Sequence, residues 1–457
     1  MSSGSGGSHG SVEHLSVFCG TSSPTELAAQ TGKKAGEATG TTTPEQLLRE
    51  QCLNQAPDFA RSSLQFAVDL HESLRRDGGC AVRNVLFSPF VLSSALLALY
   101  NGAQGRTADQ IARAARLGYE PRSVSSCLAV WHAELFPTWP DSHRRNFEMR
   151  QDACLVYDKG LQISDGYKQW LSRWCRIEAE DFANDPTDGV VFPTRMTAWI
   201  GALTSFSCKA PEDAAFWSEV DRTTSLFLLS ILFIKGKWRH VFNVTRGYFN
   251  ETPKKSKVVR MMSQTGHFRT AESEELGASA VELPYRESSK TMVILLPSKA
   301  QSLRELEGKL TAGHILSCLD GLQDRGLVSV SVPMFRVSDV IDLKEALPAM
   351  GVKDAFRPDA NFMTLCDSPV APKVSFARHV AVFHARERST SRMPKYTGAQ
   401  GAPGTSSPAR RSTDDETEAL DDEAKFTVDR PFMFFVINSE PKAVLLYGSI
   451  RKIFAWK

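Results

Sequence analysis

Residues 386–425 interrupt a chain that is otherwise patterned for a core, and where they fall constrains the fold strongly. These forty residues hold 3 Gly, 3 Pro, 5 Ser and 5 Thr, and Leu420 is their single Leu, Ile or Val. Charge is segregated within them. Arg386, Arg388, Arg392, Lys395, Arg410 and Arg411 come first, and seven acidic residues crowd 414–423. Structureless loops longer than about 15 residues are commonly functional or disordered. Apolar strand-like text resumes afterwards, in PFMFFVI (431–437) and AVLLYGSI (443–450). The stretch is therefore an excursion within a domain and not a linker between two.

The other end has a similar composition. Residues 1–50 contain 8 Gly, 8 Ser and 7 Thr, too polar to offset the entropy of ordering. The expected layout is a disordered tail over 1–55 and one domain over 56–457, with 386–425 as a long loop inside it. Across the 457 residues, 42% are hydrophobic and 23% charged, which excludes a fully disordered or collagen-like chain. A net charge of +2 gives no whole-molecule argument for nucleic acid or an anionic membrane. The longest apolar run, Leu226 to Ile234, is far shorter than the roughly 20 residues of a spanning helix. Neither a nucleic-acid nor a membrane partner is expected.

Nine cysteines (19, 52, 80, 127, 154, 175, 208, 318 and 366) form no C-x-x-C unit. They read as scattered reduced core thiols, which suit a reducing compartment. The first ten residues lack the charged and apolar regions of a signal peptide. Two acceptor sequons, Asn243-Val-Thr245 and Asn250-Glu-Thr252, point weakly to secretion, and localisation stays open.

Helix signals come early. Phe59, Phe66, Leu70 and Leu74 share one helical face. Ser88-Pro89 reads as an N-cap with proline at the first helical position, stopped by Asn101-Gly102. Thr107-x-x-Gln110 reads as a capping box, with Gly118 closing that helix. Later text favours strands. LFLLSILFI (226–234) lacks alternation and is rich in branched and aromatic residues, as in a strand buried on both faces. Val328, Val330 and Val332 alternate with polar residues. Helices first and mostly antiparallel strands later make an α+β protein. There is no P-loop, no G-x-S-x-G, no H-E-x-x-H and no dinucleotide fingerprint. An enzyme is not expected, nor a metal or cofactor.

Several segments together resemble the serpins. They are NVLFSPFVLSSALLALYNGAQGRTADQI (84–111), FLLSILFIKGKWRHVF (227–242), VVRMM (258–262), VELPY (281–285), VSVSVPMFRV (328–337), DLKEALPAMGVKDAFRPDANF (342–362) and DRPFMFFVINSEPKAVLLYGSI (429–450). They occur in family order from about residue 57 onward. The resemblance implies a serpin fold of three β-sheets with about nine helices. It makes 386–425 the reactive-centre loop, the bait for a serine or cysteine protease. It also implies a monomer that acts as a suicide substrate. Cleavage gives an acyl-enzyme, and the loop's first half then inserts as a new strand into the largest sheet.

The resemblance also assigns residues. His379 and Ser88 match shutter positions, where the sheet must part, and Trp238 matches the tryptophan at the top of the sheet. Val91, Thr197 and Ser230 stand where the family has a second serine and two asparagines. Glu387 opens the hinge and Thr390 is the small residue that enters first. Ser389 replaces a glycine, and Ser391, Arg392, Met393, Pro394 and Lys395 replace an alanine-rich stretch. A buried proline lacks a ladder donor, and an unpaired buried arginine costs several kcal/mol. These residues oppose full insertion and predict no gain in heat stability after cleavage. Family spacing forward from Glu387 puts the specificity residue at Pro403, and spacing backward from Lys425-Phe426 puts it near Glu418. Between them, Arg410-Arg411 is the cleavage site expected for a trypsin-like protease.

Arg106, Arg113 and Arg116 share a helical face, as in the heparin-binding helix of some serpins, so a polyanion such as heparin is a second expected partner. Lys254, Lys255, Lys257 and Arg260 form another basic cluster. Three functions fit: a serine-type endopeptidase inhibitor; a non-inhibitory serpin serving as protease substrate, carrier, chaperone or interaction protein; and an intracellular scaffold using the 386–425 loop as a charge-patterned binding segment.

Overall fold

The computed structural model describes residues 43–76, 83–117, 121–136, 146–184, 190–298, 302–366, 371–386 and 424–454. Nine α-helices occur among them: α1 Pro44–Arg76, α2 Pro89–Gly102, α3 Gly105–Ala114, α4 Pro121–Leu135, α5 Asp165–Leu171, α6 Val191–Leu203, α7 Leu303–Lys309, α8 Ala312–Asp320 and α9 Leu343–Ala349. The strands are β1 Val85–Phe87, β2 Phe147–Asp158, β3 Arg176–Glu180, β4 Leu226–Gly236, β5 Asn243–Thr252, β6 Lys255–Ser273, β7 Ala278–Pro284, β8 Lys290–Pro297, β9 Gln323–Pro333, β10 Phe335–Asp342, β11 Val374–Ala385, β12 Ala424–Thr427, β13 Phe432–Asn438 and β14 Ala443–Ile450.

Five strands form one sheet in the order β10-β11-β4-β2-β3. The others form a network β1-β14-β13-β8-β7-β6-β9-β12, with β5 also on β6. Within that network β6 meets three strands along its length. Its start pairs with β5 and its middle with β9, while Thr270–Ser273 pair with β7. This is the expected α+β architecture.

Alternation gives β4 two buried faces. Phe227, Leu229, Ile231 and Phe233 pack with Phe192, Met196 and Ile200 of α6. Leu226 and Leu228 point the other way, into the core built by α1 and α2. This is why LFLLSILFI carries no polar alternation. Phe227 and Phe376 stack across the β4–β11 pair with centroids 4.4 Å apart, worth about 1 kcal/mol beyond burial.

Ser88 caps α2 as expected, accepting from the Val91 N–H at 3.2 Å. Several local expectations are corrected. Helix α1 begins at Pro44, inside the segment read as tail, because Thr43 and Gln46 form a reciprocal capping box (2.9 and 3.3 Å). Residues 1–42 lie outside the described residues. Thr107 and Gln110 do not cap α3. Thr107 Oγ1 accepts from the Asn361 N–H, and Gln110 Oε1 from those of Lys353 and Asp354. The helix starts three residues earlier, at Gly105 after Gln104, and Arg116 takes the left-handed conformation (φ 54°) at its exit. Gly118 is outside the described residues.

The uniformly reduced cysteine set is also corrected. Cys52 of α1 and Cys127 of α4 form a disulfide, with Cα atoms 5.0 Å apart, a separation suited to a bridge. Cys154, Cys175 and Cys208 are buried thiols. At the far end of the excursion, Ala424 and Lys425 already belong to β12, which pairs in parallel with β9.

Candidate functional site: the parallel seam between β4 and β11

Strands β4 and β11 run parallel and pair from Val374↔Leu226 to His384↔Lys235. All of β11 is buried. It leads directly into the excursion, whose residues 387–423 lie outside the described residues. Glu387, Ser389, Thr390, Arg392, Pro394, Arg410 and Arg411 are therefore not located, nor are Pro403 and Glu418.

His379 and Ser230 are direct partners across this seam. The Ser88 backbone N–H donates to His379 Nε2 at 3.0 Å. That nitrogen is the acceptor, so the ring proton sits on Nδ1 and donates to Ser230 Oγ at 2.8 Å. Complete burial pushes the imidazole pKa down to about 3, which keeps it neutral. One histidine thus joins β11, β4 and the N-terminus of α2.

The three other substituted family positions divide. Ser230 is in the network. Val91 is buried and contributes only its backbone N–H. Thr197 instead donates to the Pro211 carbonyl at 2.9 Å and accepts from Trp217 Nε1 at 3.1 Å. The smaller network is complete: none of Ser88, Ser230 and His379 has an unpaired buried side-chain atom.

Arg378, next to His379, is a functional candidate that sequence reasoning missed. Its signal is a charged residue inside a strand with every residue buried. The guanidinium lies between Phe216 and Phe376, each 4.8 Å from its centre. It donates to Asp342 Oδ2 at 3.0 Å, to Glu219 Oε1 at 2.9 Å and to the Phe216 carbonyl. Arg378 thereby ties β11 to β10 and to the segment between α6 and β4.

Trp238 sits just past Lys235, the last β4 position paired with β11. It stacks on Tyr285 with centroids 4.6 Å apart. Trp238 Nε1 and Tyr285 Oη are buried without a partner among the described residues.

The arginines around α3 do not form one open cationic face. Arg106 pairs with Asp354 (3.0 Å) and Arg116 with Asp69 (2.6 Å), while Arg113 bonds the Asp109 carbonyl. The second sequence cluster also separates. Lys255 pairs with Glu251 at 2.6 Å, and Lys257 donates to the Ile453 carbonyl at 2.7 Å.

Comparison with known proteins agrees with this geometry. The chain belongs to the serpin family, whose model, "Serpin (serine protease inhibitor)", matches residues 61–453. It is 31% identical over 399 residues to "Iris" of Ixodes ricinus, covering 85% of this chain and 98% of that one. It is 26% identical to "Intracellular coagulation inhibitor 2" of Tachypleus tridentatus, covering 85% of this chain and 90% of that one. Uncleaved ovalbumin shares the fold, with a TM-score of 0.69 at 22% identity, over 86% of this chain and 99% of that one. Members of this family are mostly protease inhibitors.

Proposed function

We propose that this serpin is a serine-type endopeptidase inhibitor that acts as a suicide substrate for a trypsin-like protease. The single observation that carries this reading is the β4–β11 seam. Two parallel strands are joined by ladder hydrogen bonds and one polar side-chain pair, with the excursion attached directly to the end of β11. Parallel pairing is slightly weaker per residue than antiparallel pairing. A strand entering between β4 and β11 has the reverse direction to both, so it would replace one parallel pair with two antiparallel ones.

In this reading the protease serine attacks the carbonyl carbon of Arg410 or Arg411 and breaks the peptide bond that follows it. The new amino terminus departs with the proton that the enzyme's base supplies, and the loop stays esterified to the protease. Thr390 enters the seam first. Arg392 and Pro394 oppose insertion, but Arg378 supplies a precedent for an arginine on this sheet: Asp342, Glu219 and two phenylalanine faces receive it. Pro394 removes one ladder bond. Both residues therefore weaken the drive for insertion and raise the share of encounters that end in simple cleavage.

The hinge sequence itself favours a second reading, a non-inhibitory serpin cut as an ordinary substrate. Incubation with trypsin separates the two. A covalent complex that survives SDS supports inhibition, and quantitative nicking without complex supports the substrate. Heparin binding through Arg113 is a lesser proposal, since Arg106 and Arg116 already hold carboxylates.

A further inference from the structure

The structure places two arginines where a sheet ordinarily avoids them. Arg246 of β5 and Arg260 of β6 are direct cross-strand partners in an antiparallel pair, and both are exposed. Like charges directly opposite one another destabilise a sheet. Neither guanidinium has a hydrogen bond or ion pair among the described residues. Sequence spacing put Arg260 with Lys254, Lys255 and Lys257, but Lys255 and Lys257 are engaged elsewhere. The partner the fold supplies is Arg246.

The surroundings are apolar. Tyr248 lies two residues from Arg246 on the same face, directly opposite Val258. Tyr248 is 67% exposed and Val258 58%, and Val244, two residues on the other side of Arg246, is 44% exposed. The opposite face of the hairpin fills the core with Phe249, Val259 and Met261. A charge on an edge strand ordinarily guards against unwanted pairing. That accounts for Arg246 on β5, which pairs only with β6 among the described residues. It does not account for Arg260, which is engaged on both edges: β5 pairs with it on one side, and on the other its carbonyl accepts from the Met334 N–H.

We propose that the outward face of the β5–β6 hairpin docks an acidic protein segment whose carboxylates meet Arg246 and Arg260 and whose apolar side chains cover Tyr248 and Val258. Carboxylates between the two guanidiniums would turn an unfavourable pair into charge-assisted hydrogen bonds. A sulfated polysaccharide satisfies the arginines but offers nothing to Val244 and Val258, so a protein segment fits the whole face better. The inference is independent of whether the excursion inhibits a protease.

Fluorescence anisotropy with three labelled probes tests it on the full chain. The first is the peptide Glu-Ser-Phe-Ser-Glu-Ser-Leu-Ser, which in extended form aligns carboxylates and apolar groups on one face. The second is a glutamate-only peptide of equal length, and the third a heparin oligosaccharide. The mixed peptide is expected to bind tightest and to lose at least tenfold in R246S/R260S, with a smaller loss in Y248S. Its affinity should fall with added salt. The double variant is expected to melt no lower than the parent, since a like-charge pair is removed. Unchanged peptide affinity in R246S/R260S would overturn the proposal. So would a heparin fragment that binds more tightly than the mixed peptide and is lost with the same two arginines.

Discussion

His379 on β11 and Ser230 on β4 are joined across the central seam by one hydrogen bond of 2.8 Å between fully buried side chains. The backbone N–H of Ser88 sets its direction, because it occupies Nε2 and leaves the proton on Nδ1. Replacing Ser230 with alanine would strand that proton in the core, at a cost of about 1–3 kcal/mol. We expect S230A to melt lower than the parent and to open the seam more readily. Hydrogen exchange at the β4 and β11 amides measures this. Unchanged protection in S230A would show that the ladder alone holds the seam.

The shutter partners Ser88, Ser230 and His379 are legible in the sequence because Ser88-Pro89 is a local capping signal and the family pattern aligns the rest. Ser88 and His379 are 291 residues apart, so no periodicity could join them. The same limit hides the disulfide, whose cysteines are 75 residues apart on two helices. Arg246 and Arg260 are opposed only through the hairpin register. Thr107 and Gln110 have the spacing of a capping box, but the 353–361 segment offers backbone donors that claim both side chains. Thr43 and Gln46 have the same spacing and do cap, inside text whose composition reads as a tail.

Acid stability should show a shoulder. Burial lowers the pKa of His132 and His379 to about 3, so each withdraws stability as pH falls from about 6.5 towards 3, by about 1.4 kcal/mol per pH unit. Burial raises Asp152 and Asp339 to about 6. Their folded forms take up protons first, which adds stability between about pH 6 and 4 and offsets the histidines. Glu307 is depressed to about 2, against its burial, by His71, Arg451 and Ser449, and its contribution is lost from about pH 4.5 towards 2. Denaturation midpoints measured from pH 7 to 3 should therefore be nearly level between about 6 and 4.5 and fall steeply below 4. D152N/D339N should remove the level region. A steady decline in the parent from pH 6.5 would contradict this assignment.

The hinge argument predicts a graded response. Cleaved parent protein should melt no higher than intact protein. R392A/P394A removes the charge and restores a ladder donor, so its cleaved form should gain more. Calorimetry before and after a single cut reads both differences. Equal gains in the two proteins would mean that Arg392 and Pro394 do not limit insertion.

Breaking the cross-link between α1 and α4 should act on stability alone. C52S/C127S is expected to lose about 2–4 kcal/mol in denaturant titration under oxidising conditions. Its first cleavage site with trypsin should be that of the parent. A shifted site would mean that the cross-link influences the excursion.

The most direct test of inhibition is trypsin incubation followed by SDS gel electrophoresis and mass spectrometry of the early products. The account predicts a first cut after Arg410 or Arg411. It also predicts a minor SDS-resistant complex in the parent, and more complex in R392A/P394A. First cuts at Arg386, Arg388 or Lys395 with the 410–411 bonds intact, or no complex even from R392A/P394A, would contradict it.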